Sequence, residues 1–137
     1  MISHYEIDSK LSNIDILNIL DHHKLYHEWG VFKNIYRYPF EYLTDGCCIS
    51  VLYKDEKTPI STIILPKNQY FGYERYYPKL KNTYGLIGFY TNSAYRMMGH
   101  SAKLFSEFDK HFKIDNFAAH YKAPGFIKSI PNIMIVE

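Results

Sequence analysis

Cysteine occurs only twice in this 137-residue chain, tryptophan once, and arginine three times against thirteen lysines. The two cysteines, Cys47 and Cys48, are adjacent, poorly placed to bridge each other and too few to complete a zinc site. A disulfide scaffold or thiolate zinc module is thereby excluded, and their apolar, strand-like surroundings read as buried thiols in a reducing compartment. Long hydrophobic runs are also missing: nothing approaches the roughly 20 apolar residues that span a bilayer. The opening MISHYEIDSK has no apolar centre. A soluble, unprocessed, cytoplasmic chain with no membrane partner is expected. Charge of one sign is scarce too. A formal charge of +2 gives no bulk electrostatic reason for a nucleic-acid or membrane partner, so any such partner must be argued from local patches.

What is present is enough apolar material for one core. The hydrophobic share is 47% and the length is near the commonest single-domain size, so residues 1–137 are read as one domain. Aromatics reach 18%, with 14 tyrosines, a residue favoured at wet interfaces and stacking surfaces. Ser3 to Ile7 alternates weakly as a short strand. Ser12 precedes Asp15 at capping-box spacing, and Ile14, Leu17, Ile19, Leu20 and Leu25 give an apolar side, predicting a helix over about 13–28 that ends at Gly30. Residues 31–42, with Pro39, read as a second short helix or ordered loop before the Asp45-Gly46 turn. Cys47–Tyr53 and Ile60–Leu65 are β-rich and joined by a hairpin connection over 54–59, which makes them antiparallel neighbours. An irregular stretch runs from Pro66 to Asn82. Further strands are expected at Asp115–His120 and Asn132–Val136, with a break at Ala123-Pro124-Gly125.

The stretch from Tyr84 to Phe112 is the one built for chemistry. It starts as an apolar strand (Tyr84, Leu86, Ile87, Phe89, Tyr90), passes through Arg96-Met97-Met98-Gly99-His100-Ser101-Ala102, and continues as a helix with Leu104, Phe105, Phe108 and Phe112 on one face. Such a strand–turn–helix leaves the first helical N–H groups unpaired, with the positive end of the helix dipole behind them, and suits a phosphate or diphosphate. Gly99 permits a close backbone approach. The ordinary reading is a plain strand-to-helix connection, with Gly99 serving backbone geometry and Arg96 solvated or paired with a carboxylate.

The sequence Tyr95-Arg96-x-x-Gly99-x-Ser101-Ala102 followed by Leu104 resembles the Arg/Gln-x-x-Gly-x-Gly/Ala segment of the acyl-coenzyme A N-acyltransferases, the GNAT superfamily. Ser101 stands where that family usually has Gly or Ala. The element order, β-α-(α)-β-β-β-α-β with a final strand, is similar to most of that fold. The resemblance therefore implies an α/β (α+β) fold of a mixed, mainly antiparallel sheet flanked by helices, and acetyl-CoA as cosubstrate. It implies that backbone groups of Phe89, Tyr90 and Thr91 meet the pantetheine arm. Arg96 and the N–H groups of Met98, Gly99, His100, Ser101 and Ala102 would meet the diphosphate. Acyl transfer to an amine needs an acid to reprotonate the leaving thiolate. The family often uses a tyrosine ahead of a Gly-Phe pair, and Tyr121-x-x-x-Gly125-Phe126 makes Tyr121 that residue here, against packing or an interface as its ordinary role. Glu74, His120 and Glu41 are alternatives for a general base, and nothing in the sequence selects one.

Other features compete. His23 and His27 fall on one helical face, but no third ligand is recognisable, and His111 and His120 lack a pattern, so no metal site is expected. Lys67 to Lys81 interleaves Tyr70, Phe71, Tyr73, Tyr76 and Tyr77 with Lys67, Arg75, Lys79 and Lys81 against the single acid Glu74. These are the ingredients of a nucleic-acid surface, of a protein interface, or of a loop whose rings cap the core. Beside an active acetyltransferase stands a catalytically silent descendant of the same fold, kept as an interaction protein, for example in a phage virion. The short segment between Phe112 and Tyr121, the unassigned base and the tyrosine-rich loop motivate that alternative. A phage-encoded chain would work in the host cytoplasm or in the virion, and a homo-oligomer is compatible with either.

Overall fold

The computed structural model describes residues 1–8, 43, 45–56, 58–67, 85, 87–114, 116–130 and 133–136. The expected helix over about 13–28, the short helix or ordered loop over 31–42, the histidines at 22, 23 and 27, Glu41, Glu74 and residues 68–81 of the aromatic loop lie outside them.

Strands β1 (Ile2–Glu6), β2 (Cys48–Asp55), β3 (Thr58–Leu65) and β4 (Gly88–Thr91) form an antiparallel sheet in that order. Its centre is the apolar run of β2 and β3, buried along Cys48–Tyr53 and Ile60–Leu65 on both faces. Strands covered on both sides lose the alternation of a half-wet strand and read as continuous apolar runs. The hairpin is tighter than the sequence implied, because β2 runs on to Asp55 and β3 begins at Thr58. Register slips at Leu52/Tyr53 and Tyr53/Asp55 let Pro59 sit near the strand end without an unmet ladder bond. The first strand docks on β2 with Ile2 opposite Leu52 and Glu6 opposite Cys48. Ile7 extends the pairing through its N–H to Cys47 O at 2.9 Å.

Helix α1 (His100–Phe112) lies on one face of this sheet. Leu104, Phe105 and Phe108 are its buried stripe, at the three- and four-residue spacing expected of an amphipathic helix. They meet Leu52, Ile63, Leu65, Ile87 and Phe117 in one cluster. Phe105 is the hub of the rings, with Phe89, Phe108, Phe117 and Phe126 all within 6.3 Å centroid to centroid. The helix closes at Lys113, whose left-handed φ of 55° lets its N–H return to Asp109 O. Lys110 and His111 in the last turn complement the dipole. The opposite face of the sheet buries Ile49, Val51, Tyr53 and Ile64.

After α1 come β5 (Ala118–His120), the single turn α2 (Gly125–Lys128) and β6 (Met134–Val136). β5 and β6 pair in parallel, Ala118 opposite Met134. Pro124, expected to break the chain, instead occupies the N-cap of α2, where its missing N–H leaves no helical bond unmade. The architecture is a mixed α/β fold around a four-stranded antiparallel sheet. No helix among the described residues is long and apolar enough to cross a membrane.

Candidate functional site

The site grows from the direction of backbone groups at β4. Asn92 donates its N–H to Ile60 O at 2.8 Å, and Tyr90 lies opposite Thr62. In an antiparallel ladder bonded pairs recur every second residue. The N–H and C=O of Tyr90 therefore face β3, and those of Phe89 and Thr91 face the other way. On that other side the chain begins as the neighbour of β5: Ile87 N–H donates to Ala118 O at 2.9 Å, and Ala118 N–H to Gly85 O at 3.1 Å. Beyond Ile87 the two lines part, β4 continuing with β3 and β5 taking β6 as its partner. Among the described residues the outward amides of Phe89 and Thr91 meet no backbone acceptor.

The chain then makes two short turns. Asn92 accepts the N–H of Ala94 on Oδ1 at 3.1 Å and starts a 3-10 turn over Ser93–Tyr95. Arg96 is extended, at φ −72° and ψ 157°. Met97 and Gly99 both take left-handed values, φ 66° and 76°, and α1 starts at His100. A left-handed methionine costs about 1–2 kcal/mol relative to the ordinary regions, and Met97 is fully exposed. That is backbone strain at a candidate site. Gly99 is the N-cap and offers no side-chain cap. The first internal helix bond is Lys103 N–H to Gly99 O at 3.1 Å. The N–H groups of Gly99, His100, Ser101 and Ala102 are thus without partners among the described residues, at the positive end of a 13-residue helix.

In front of them is a cavity of about 500 Å³, within the roughly 300–1,000 Å³ of small-molecule sites. Seven of the ten sequence-predicted site residues line it: Phe89, Tyr90, Thr91, Arg96, Gly99, His100 and Ser101. Met98 and Ala102 do not, and the Met98 side chain points to solvent. A Cβ added to Gly99 would meet nothing within 4 Å, so the space above the glycine is open. Arg96 donates Nε–H to Thr91 O at 2.9 Å, and its guanidinium carbon sits 5.9 Å from the centre of the Tyr90 ring. It pairs with no carboxylate among the described residues. Tyr95 faces His100 edge-on at 6.2 Å between centroids.

Tyr121 is placed differently. It is 46% exposed, does not line the cavity, and has its ring 4.5 Å from that of His120 and 5.6 Å from Lys122 Nζ. His120 accepts the Lys122 N–H on Nδ1 at 3.1 Å. Burial, then the nearby Lys122 charge, holds its imidazole below the ordinary value. A neutral His120 with Nδ1 so engaged carries its proton on Nε2 and presents a donor there, which is the wrong polarity for a base acting through Nε2.

Three lining residues were not singled out by the sequence: Met97, Tyr95 as a wall and Pro124. Pro124 arrives from a distant segment and carries no local signal. Also missed was Ser61, which is buried and reaches Thr91 from β3. No group of three or more metal-ligating side chains occurs among the described residues. No family model matches this chain, and neither the curated proteins nor the solved structures yield a match.

Proposed function

We propose that this chain is an acetyl-coenzyme A-binding domain of the GNAT kind that transfers the acyl group to an amine. The observation that carries the reading is the run of amides from Gly99 to Ser101, unpartnered among the described residues and lining an open cavity with Arg96 at its edge. Three N–H donors, a helix dipole and a guanidinium that no carboxylate among the described residues neutralises suit a diphosphate. Parting of β4 from β5 supports the same reading, because it leaves the Phe89 backbone groups and the Thr91 N–H facing a gap where an amide-bearing pantetheine arm can hydrogen-bond, the Thr91 carbonyl being taken by Arg96. Tyr90 would contribute its ring rather than its backbone, which belongs to the β3 ladder. In the reaction the neutral amine attacks the thioester carbonyl, the C–S bond breaks, the attacking nitrogen gives up a proton to solvent, and the departing thiolate takes one. Tyr121 is the proton donor the family resemblance implies.

The test is thermal. Acetyl-coenzyme A should raise the melting temperature in proportion to the logarithm of its concentration, and an unchanged melting curve at millimolar ligand would count against the reading.

Tyr121's position outside the cavity lining favours a second reading, a domain that binds the thioester without turnover. Release of free coenzyme A in the presence of an amine panel separates the two.

A further inference from the structure

Arg96 is aimed by a two-step chain of hydrogen bonds that starts at a buried hydroxyl on the neighbouring strand. Ser61, on β3, is 1% exposed. Its Oγ lies 3.2 Å from Tyr90 O, to which it donates, and 3.0 Å from Thr91 Oγ1. The two hydroxyls fix the Thr91 side chain and the last peptides of β4. The Thr91 carbonyl is turned away from β3 by the ladder and accepts Arg96 Nε–H at 2.9 Å. Holding the guanidinium by Nε consumes one of its five donors and leaves the two terminal nitrogens, with four N–H groups, without a partner among the described residues. The Tyr90 ring at 5.9 Å from Cζ provides a face that favours a cation there. An arginine otherwise exposed at the mouth of a cavity is thus held at its inner end and open at its outer one.

We infer that Ser61 and Thr91 are positioning residues that pre-orient the Arg96 fork toward a diphosphate at the Gly99–Ser101 amides. This rests on the proposed anion site and deepens it: affinity for the phosphate portion depends on two hydroxyls that act through Arg96. A lysine cannot replace Arg96, because one ammonium cannot both reach back to Thr91 O and present a planar pair of donors.

The experiment is calorimetric titration with three probes, coenzyme A, inorganic pyrophosphate and pantetheine, on the wild type, Ser61→Ala, Thr91→Val, Thr91→Ser, Arg96→Lys and the double variant Ser61→Ala/Arg96→Lys. Melting curves confirm that each is folded. Ser61→Ala, Thr91→Val and Arg96→Lys should each weaken coenzyme A and pyrophosphate roughly tenfold, the scale of one charge-assisted hydrogen bond, and leave pantetheine unchanged. Thr91→Ser, which keeps the hydroxyl, should bind as the wild type, and the double variant should be no weaker than Arg96→Lys alone. Loss of pantetheine affinity in step with the others would mean that Ser61 and Thr91 are merely structural and overturns the inference. Wild-type binding of coenzyme A with no effect of Ser61→Ala or Thr91→Val overturns the inference and leaves the proposed function standing. Pyrophosphate binding with the expected pattern but no coenzyme A binding overturns the function and keeps the positioning chain. Binding of neither probe by the wild type overturns both.

Discussion

His4 stacks on His111, with ring centroids 4.2 Å apart and planes 12° from parallel, joining the outermost strand of the sheet to the last turn of α1. Nδ1 of His4 also shares a 2.6 Å hydrogen bond with the buried Ser50 Oγ. Burial holds the His4 imidazole below its ordinary value of 6.5, His111 lowers it further, and Glu107 acts in the opposite direction. A histidine whose folded value is depressed binds its proton more weakly in the native state. Its contribution to stability is therefore complete above about pH 6.5 and is lost as pH falls through the folded value. Melting temperature should drop between about pH 7.5 and pH 5.5, and His4→Gln, which keeps a partner for Ser50, should flatten that drop. An equal drop in both proteins would show that the pair is not the source.

Phe108 is 1% exposed and touches both Phe105 and Phe112. Phe108→Ala leaves a cavity between α1 and the sheet and should cost about 3–5 kcal/mol, read as a lower midpoint in denaturant at unchanged slope.

Cys47 is fully buried, and burial followed by the neighbouring Cys48 pushes its thiol well up. Cys48 is pushed up to about 12 by burial and then by Glu6, whose carboxylate lies 3.7 Å from Sγ. Since the thiolate is the reactive form, neither should react measurably with a thiol-specific disulfide reagent near pH 8 in the folded protein. Both should react at once in denaturant. Fast labelling of the folded form would show that the strand face is open.

The runs of β2 and β3 and their antiparallel pairing were legible as two continuous apolar, β-rich stretches joined by a short polar connection, and α1 from the three- and four-residue spacing of Leu104, Phe105 and Phe108. The turn at Arg96–Ala102 was legible from its one glycine and its place between a strand and a helix. Pairing of β1 with β2, the parallel pair β5–β6, and the parting of β4 from β5 at Ile87 were not, since they join residues far apart in sequence and leave no local pattern. Strand ends shifted for a similar reason. Pro59 reads as a breaker until the register slip beside Tyr53 accommodates it, and Pro124 until it caps α2. Ser61 looked like one more polar residue in an apolar run, and only its contact with Thr91 gives it a role.

Tyr121 projects outside the cavity beside His120 and Lys122. Tyr121→Phe should therefore leave coenzyme A affinity within about twofold of the wild type and the melting temperature unchanged. A large loss of affinity would place the hydroxyl against the ligand.

Gly99→Ala and Gly99→Glu impose the same backbone penalty, about 1–2 kcal/mol for a side chain held at left-handed φ, and neither Cβ meets an obstacle. They differ in the carboxylate that glutamate adds beside the open amides. Calorimetric titration of acetyl-coenzyme A into the wild type and these two variants therefore isolates the anion cradle. Saturable heat is expected for the wild type and Gly99→Ala, and none for Gly99→Glu. A flat titration of the wild type, or undiminished binding by Gly99→Glu, would contradict the account.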